Sequence, residues 1–129
     1  MSVETDIQDI LEAAGAVIAL CPASRIRVPG DWQNLTRPYI VHFPVSTDPQ
    51  RNHDGLETLC IWDPYQVSIF GDTYSSAQAL AVAVRTALDG TDVTTGLTAH
   101  WQRTFRAPDD QATSVEHIVS EFRVAAPLT

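Results

Sequence analysis

Two stretches of the chain place hydrophobic residues at the spacing of an amphipathic helix. The first runs from Thr5 to about Leu20, and Pro22 makes its continuation unfavourable. Thr5 and Gln8 have the spacing of a capping box, which predicts that the helix begins at Thr5. Its apolar face consists of Ile7, Ile10, Leu11, Ala14, Val17 and Ile18.

A second helix is predicted between Asp72 and Gly90. Asp72 or Thr73 can cap its first turn, Ser75 and Gln78 have capping-box spacing, and Gly90 provides a left-handed stop. Many positions on its apolar face are alanine, so the helix can lie close to a sheet. The face predicted to be buried consists of Ala77, Leu80, Ala81, Val84, Ala87 and Leu88.

Between these helices the period changes to two, which predicts strands. A half-buried strand begins at Tyr39, and Pro44 marks an edge position or a bulge. The segment from Leu56 to Asp72 reads as one long strand or a bent pair, because Asp63-Pro64 interrupts the run. In the first of these strands Tyr39, Val41, Phe43 and Val45 alternate with Ile40, His42 and Pro44.

Two further strands are predicted after the second helix, at Leu97 to Phe105 and Val115 to Ala125. A turn-rich segment separates them, so a hairpin is the simplest connection. In the last strand one face carries Ile118, Ser120, Phe122 and Val124, and the other carries His117, Val119, Glu121 and Arg123.

Two segments lack a regular period. Residues 22–38 are rich in turn signals and contain one short extended stretch, Arg25 to Val28, with Trp32 and Leu35 expected to pin the segment to the core. The polar segment Ser46 to Gly55 reads as an extended hairpin loop that is longer than a tight turn requires. Either a partner contacts this loop or it is solvated without a role. Its candidate contact residues are Asp48, Arg51 and Asp54.

The order of elements is helix, strand, strand, helix, strand, strand, without an internal linker. This order predicts one α+β domain over residues 1–129, with a mainly antiparallel sheet and both helices packed on one sheet face. The edges and the second face of such a sheet need cover, which neighbouring subunits can supply.

The charge balance is strongly acidic, with sixteen acidic residues against eight basic ones and a formal charge of −8. Such a balance argues against gripping a nucleic-acid backbone as the main function. All eight basic residues are arginine, which suits bidentate interface pairs, although genomic base composition can produce the same bias. Cys21 and Cys60, with no CxxC pattern, are expected to be buried thiols.

No stretch approaches the ~18 apolar residues of a membrane span, and the acidic N-terminus lacks the basic start of a secretory signal. We therefore expect a soluble protein that is made in the cytoplasm. No phosphate loop, GxSxG, HExxH or calcium-loop motif occurs, and the four histidines fall on different predicted elements without metal-ligand spacing. The histidines are expected to be surface or sheet-face residues. We expect no catalytic site, no cofactor and no metal.

One cluster combines aromatic and basic residues: Trp101, Arg103, Phe105 and Arg106. In a regular strand the first three share a face, so a guanidinium can lie between two rings. This pattern suits a protein interface or single-stranded nucleic acid, and the net acidity favours the interface. In the alternative interpretation Trp101 and Phe105 belong to the core and Arg103 reaches its rim.

Three stretches resemble the tail-terminator, or tail-completion, family of siphophages and gene transfer agents. They are Arg37-Pro-Tyr-Ile-Val, Tyr65-Gln-Val-Ser-Ile-Phe, and the helix from Asp72 to Gly90 with its Ala-x-x-Leu-Ala-x-x-Val-x-x-Ala-Leu pattern. Glu121-Phe-Arg-Val124 resembles the closing strand of that family, and the order of elements agrees along nearly the whole chain. The segment Leu56 to Pro64 is longer and more apolar than the family pattern, which leaves the hairpin geometry open.

The resemblance implies a structural virion subunit at the junction of tail and neck. Such proteins form a homohexameric ring on the last ring of the major tail-tube protein, end its polymerisation and offer the opposite face to a head-side connector or stopper protein. DNA passes through the ring without sequence-specific binding. Other functions consistent with the sequence are another neck protein, such as a stopper or connector subunit, and an unrelated small α+β binding module or an enzyme whose site lies at a subunit boundary.

Overall fold

The computed structural model describes residues 3–29, 36–51, 57–91, 96–107 and 116–127. Within these ranges there are three α-helices, α1 (Val3–Ala13), α2 (Gly15–Leu20) and α3 (Tyr74–Leu88). The strands are β1 (Ile26–Arg27), β2 (Tyr39–Pro44), β3 (Thr47–Arg51), β4 (Glu57–Gly71), β5 (Gly90–Thr91), β6 (Thr98–Arg106) and β7 (Glu116–Pro127). Trp32, Leu35 and Asp54 lie outside the described residues.

The seven described strands form one sheet in the order β1-β2-β4-β7-β6-β5, with β3 also paired to β4. β1 is parallel to β2, and the other pairs are antiparallel. Residues from all three helices form one core cluster with a single face of the sheet. The predicted α+β class, the mainly antiparallel sheet and the placement of the helices on one face are therefore confirmed.

The N-terminal helical stretch is broken into two helices at Ala14. Its backbone is extended, with φ −84° and ψ 105°, and its carbonyl accepts from the Val17 and Ile18 amides, which begins α2. The prediction of one helix from a capping box at Thr5 is therefore wrong: Thr5 lies within α1, which begins at Val3. Although the helix is interrupted at Ala14, Ile7 and Leu11 of α1 and Val17 of α2 remain buried in one cluster.

Helix α3 begins with a capping box, although at other residues than the spacing suggested. Thr73 is the N-cap, its side chain accepts from the Ser76 amide, and the Ser76 side chain accepts from the Thr73 amide. The Ser75 and Gln78 pairing is therefore wrong, since both residues lie inside the helix. The helix ends at Asp89, and Gly90 follows with a φ of 137° that other residues rarely adopt. The predicted buried face is confirmed, with Ala87 partly buried.

Strand β4 is a single strand of 15 residues, and β2 and β3 pair with it in succession. The ladder shifts register at Asp63-Pro64, where the Val45 amide donates to the Pro64 carbonyl and the Asp63 amide donates to the Ser46 carbonyl. The prediction of a loop over the whole of Ser46 to Gly55 is wrong, because residues 47–51 form β3. The pairing of β3 follows from the apolar sequence of the first half of β4. That half of β4 lies between β3 on one side and the end of β7 on the other.

The core lies between the helices and the inner face of the sheet, which we define as the face that contacts the helices. Cross-strand pairing aligns Pro44, Tyr65 and Phe122 on this inner face, and aligns Ile40, Ile69 and Ile118 in another row of the same face. In β2 the inner positions are therefore Ile40, His42 and Pro44. The more apolar alternate residues, Tyr39, Val41 and Phe43, lie on the outer face. The predicted facing of Ile118, Phe122 and Val124 on β7 is confirmed, as are the buried free thiols of Cys21 and Cys60.

Candidate interaction surfaces

The aromatic and basic cluster of β6 is divided between the two faces of the sheet. The register between β6 and β7 shifts after Trp101, so that Trp101 lies opposite Phe122 whereas Arg103 lies opposite Glu121 and Phe105 opposite Val119. Because paired residues share a sheet face, Trp101 is on the inner face and Arg103 and Phe105 are on the outer face. The predicted arrangement of one guanidinium between both rings is therefore wrong.

Trp101 is held at the margin of the core by contacts on the inner face. It is partly buried against the core cluster, and the guanidinium of Arg85 on α3 lies 3.6 Å from the centre of its ring. Its ring N–H donates to the Thr104 hydroxyl at 2.8 Å, and its backbone N–H donates to the Asp89 carboxylate at 3.1 Å. These contacts fit a structural role that joins α3 to the sheet.

Arg103 and Phe105 form the exposed part of the cluster. Phe105 is 39% exposed, and the Arg103 guanidinium lies 5.0 Å from its ring centre. The Arg103 Nε donates to the carboxylate of Glu121, which is mostly covered while the arginine side chain is 68% exposed. The carboxylate holds the guanidinium above the ring, and the surface presents an aromatic residue and a positive charge together.

Arg106 and Tyr74 form a second aromatic and arginine pair at the inner side of β6. Two nitrogens of Arg106 donate to the two carboxylate oxygens of Glu116 at 2.9 and 2.7 Å, and its guanidinium lies 5.5 Å from the ring centre of Tyr74. Tyr74 is 46% exposed at the first turn of α3. Such bidentate pairing fixes the arginine in one orientation.

The remaining predicted contact residues lie away from this cluster. Asp48 and Arg51 belong to β3, which pairs with the first half of β4, and β4 and β7 separate it from β6. The structure therefore does not bring the two groups of candidate residues together. Asp48 and Arg51 therefore lie in a different part of the sheet from the candidate residues of β6.

A hydrogen-bonded chain that the sequence did not reveal lies under α1. The Tyr65 hydroxyl is 2.7 Å from His42 Nδ1, and His42 Nε2 is 2.8 Å from Gln8 Oε1. The Gln8 amide nitrogen donates to the Ile26 carbonyl at 2.8 Å. Because that carbonyl can only accept, the amide is oriented with its oxygen toward His42, so Nε2 carries the proton and the tyrosine donates to Nδ1.

This series of hydrogen bonds connects helix α1 to the strands β1, β2 and β4 through a neutral histidine. His42 and Tyr65 are fully buried, and burial lowers the pKa of His42 to about 4 and raises the pKa of Tyr65. His42 lies on the inner face of the sheet, in agreement with the expectation of a surface or sheet-face residue, and it is fully buried there. The available signal was the position of His42 in β2, two residues from buried Ile40 on the same face.

A groove of about 710 Å³ opens beside these hydrogen-bonded residues, between α1 and the β1–β2 corner of the sheet. Ile26, Phe43 and Pro44 contribute its apolar lining, and the carboxylates of Glu4 and Glu12 lie on the α1 side. Arg27 also lines the groove, and its Nε donates to the Ser24 carbonyl at 2.9 Å. An apolar lining with an acidic rim is suited to an aromatic residue accompanied by a cation.

The outer face of the sheet carries a stack of three rings across three strands. The Phe70 ring lies 4.6 Å from that of Tyr39 on β2 and 4.2 Å from that of His117 on β7, with all three nearly parallel. Phe70 and His117 also line an apolar depression of about 410 Å³. Burial lowers the pKa of His117, which favours its neutral ring in the stack.

Among the described residues, no three His, Cys, Asp or Glu side chains are placed to hold a metal ion together. The helices of the same part of the chain are all too short or too polar to cross a membrane. Guanidinium groups, aromatic rings and carboxylates on β6, β7 and α3 are positioned by mutual contacts.

The fold is found in a virus-like particle. A chain from a solved structure described as "Virion of native gene transfer agent (GTA) particle" superposes with a TM-score of 0.79, covering 98% of this chain and 96% of that one, at 20% sequence identity. At this identity the match establishes a shared fold. No curated protein matches the sequence.

The sequence also matches a protein-family model over most of its length. The family model described as "Tail completion protein gp17" matches residues 5–125, and the chain belongs to that family. The resemblance drawn from the strand and helix patterns is confirmed, and the family gives the protein a structural role in the phage tail or neck.

Proposed function

We propose that six copies of this protein form a ring on the last ring of the tail tube, end tube polymerisation and join the tail to a head-side connector or stopper protein. The observation that carries this proposal is the match of the tail-completion family over residues 5–125. Each subunit of such a ring needs one contact surface for the tail tube, one for the head-side protein, and one or two for the adjacent copies in the ring. The candidate residues of β3 and β6 lie in separate parts of the sheet, which is consistent with that need.

The charge of the subunit is compatible with passage of DNA through the ring. The net charge is −8, so acidic side chains are in excess over the subunit. Like charges repel, so a lumen lined by acidic side chains would not retain DNA as it passes. In this proposal DNA passes through the ring and is not recognised by sequence.

Particle imaging tests the ring. We expect particles to show the subunit in six-fold symmetry between tail tube and connector, and particles made without its gene to have overlong tails or tails unattached to heads. Expression of the intact gene in trans should restore joining. A twelve-fold position on the portal side would assign the subunit to the connector instead, and a single copy per particle would exclude any ring.

We further propose that the β3–β4 hairpin, with Asp48, Arg51 and Asp54, contacts the tail tube or a neighbouring subunit. Ion pairs at such a surface contribute only ~0–1 kcal/mol each, so the shape of the hairpin matters more than any single charge.

Replacement of residues 52–56 by Asn-Gly tests the hairpin, because it leaves β3 and β4 in place and Asn-Gly favours a tight turn between antiparallel strands. We expect a melting temperature close to that of the original protein and particles with unjoined or overlong tails. The double substitution Asp48→Asn and Arg51→Gln, which keeps the hairpin length, is the matched control and should have a weaker effect. Normal tails in the shortened variant would show that the joining surface lies elsewhere.

A further inference from the structure

Two chemically complementary surfaces lie at opposite ends of the sheet. The groove beside α1 lies at the β1–β2 end, and β6 lies near the other end of the strand order. In the described chain β5 pairs only with Thr98 and Ala99, so the rest of β6 forms the edge of the sheet. We call the exposed side chains there, Arg103, Phe105, Arg106 and Tyr74, the β6 rim. Strands β4 and β7 lie between the two surfaces, so they do not meet within one subunit.

The geometry points to a head-to-tail contact in which the β6 rim of one copy docks into the acidic groove beside α1 of the next copy. This inference rests on the proposed ring and names the surfaces that would close it. Contacts between two different surfaces of identical subunits generate rings when the rotation closes.

The apolar parts of the two surfaces match. Phe105 is one of the two aromatic residues of the rim, with Tyr74, and 39% of it remains exposed on a strand that is paired with β7. The groove offers an apolar lining of Ile26, Phe43 and Pro44 in a volume of about 710 Å³, which is sufficient for an aromatic side chain. A buried aromatic anchor is the feature that most often dominates the energy of a protein interface.

The charged parts also match. Glu4 and Glu12 border the groove on a helix that has no basic residue, whereas the rim holds two guanidinium groups against aromatic rings. A guanidinium has five N–H donors, so Arg103 can bind a carboxylate of the next copy while its Nε keeps its bond to Glu121. A second copy of this chain supplies both the aromatic anchor and the guanidinium groups that the groove accommodates.

Paired cysteines provide the test in assembled particles. Glu12→Cys marks the groove and Gln102→Cys marks β6; both original side chains are exposed, and the native thiols Cys21 and Cys60 are buried. With a flexible bis-maleimide, the double variant should give a ladder of linked subunits that extends beyond the dimer. Each single variant should give none, because in a head-to-tail contact like positions do not meet. Ala19→Cys in place of Glu12→Cys moves the reactive group to exposed α2 and should abolish the ladder.

The other outcomes separate this inference from the proposed function. A six-fold ring in images of the double variant without a ladder would overturn the contact and leave the ring intact. Dimers from a single variant would indicate that like surfaces meet, which also overturns it. Absence of any ring from images of the original particles would overturn the proposed function. If the first pair prevents assembly, Asp9→Cys with Gln102→Cys supplies an equivalent pair on the same helix and strand.

Discussion

Lowering the pH from about 6.5 to about 4 should remove roughly 3 kcal/mol from the free energy of unfolding through His42 alone. In the unfolded chain this histidine titrates near the ordinary value of 6.5, whereas burial lowers its pKa in the folded protein to about 4. Between these two values the unfolded chain binds a proton that the folded chain does not. Acid therefore favours unfolding in this window, and His42 adds no further pH dependence above or below it.

The geometry around His42 explains why the folded protein resists this proton. Nδ1 already accepts from Tyr65, Nε2 donates to Gln8, and both the ring and the tyrosine are fully buried. Protonation would place a charge in the core and force the tyrosine hydroxyl to accept rather than donate. The tyrosine proton would then need another acceptor.

Denaturant unfolding of the original protein and of His42→Gln, at pH 7 and at pH 4, measures the effect. At pH 7 the variant should be the less stable of the two, because the hydrogen bonds from Tyr65 through His42 to Gln8 are disrupted. At pH 4 the difference should shrink by about 3 kcal/mol, since only the original protein loses the His42 contribution. The pKa of His117 is also lowered by burial, but this residue is present in both proteins and cancels. Parallel pH profiles would show that His42 is not the cause.

Elements specified by local signals were predictable from the sequence. The apolar face of α3 combines with capping residues at both ends, and burial in β7 alternates from Ser120 to Val124. A prediction that depends only on neighbours in the chain succeeds at such sites. The capping box of α3 was nevertheless placed at the wrong pair, because Ser75 and Ser76 are both plausible partners and only the backbone of Thr73 decides between them.

Features that depend on distant residues were not predictable. The division of the Trp101, Arg103 and Phe105 cluster results from one register shift against β7, and a single shift moves every later side chain to the other face. The polar sequence of β3 gives no strand signal, and it is paired because the long apolar β4 extends beside it. Likewise, the role of His42 appears only when α1 brings Gln8 to it across 34 positions of the chain.

The two phenylalanines on the β6–β7 ladder should separate folding from assembly. Phe122 on β7 is fully buried, and Phe105 on β6 is 39% exposed, although their strands are neighbours. Phe122→Ala should lower the free energy of unfolding by about 3–5 kcal/mol, because it removes buried surface and leaves a cavity among side chains that cannot fully collapse. In a domain of this size that loss lowers the melting temperature by roughly 10–20 °C.

Phe105→Ala is the matched substitution, with the same atoms removed from the outer face of the neighbouring strand. It should cost less stability than Phe122→Ala, about 1 kcal/mol, because 39% of Phe105 is already exposed to water whereas Phe122 is fully buried. If the β6 rim docks into the next subunit, however, the variant should fold normally and yet give particles without joined tails. Thermal unfolding and particle imaging of both variants decide the matter. A folded Phe105→Ala subunit that still forms rings would remove this side chain as the anchor, because an anchor in the apolar groove cannot be lost without weakening the contact it fills.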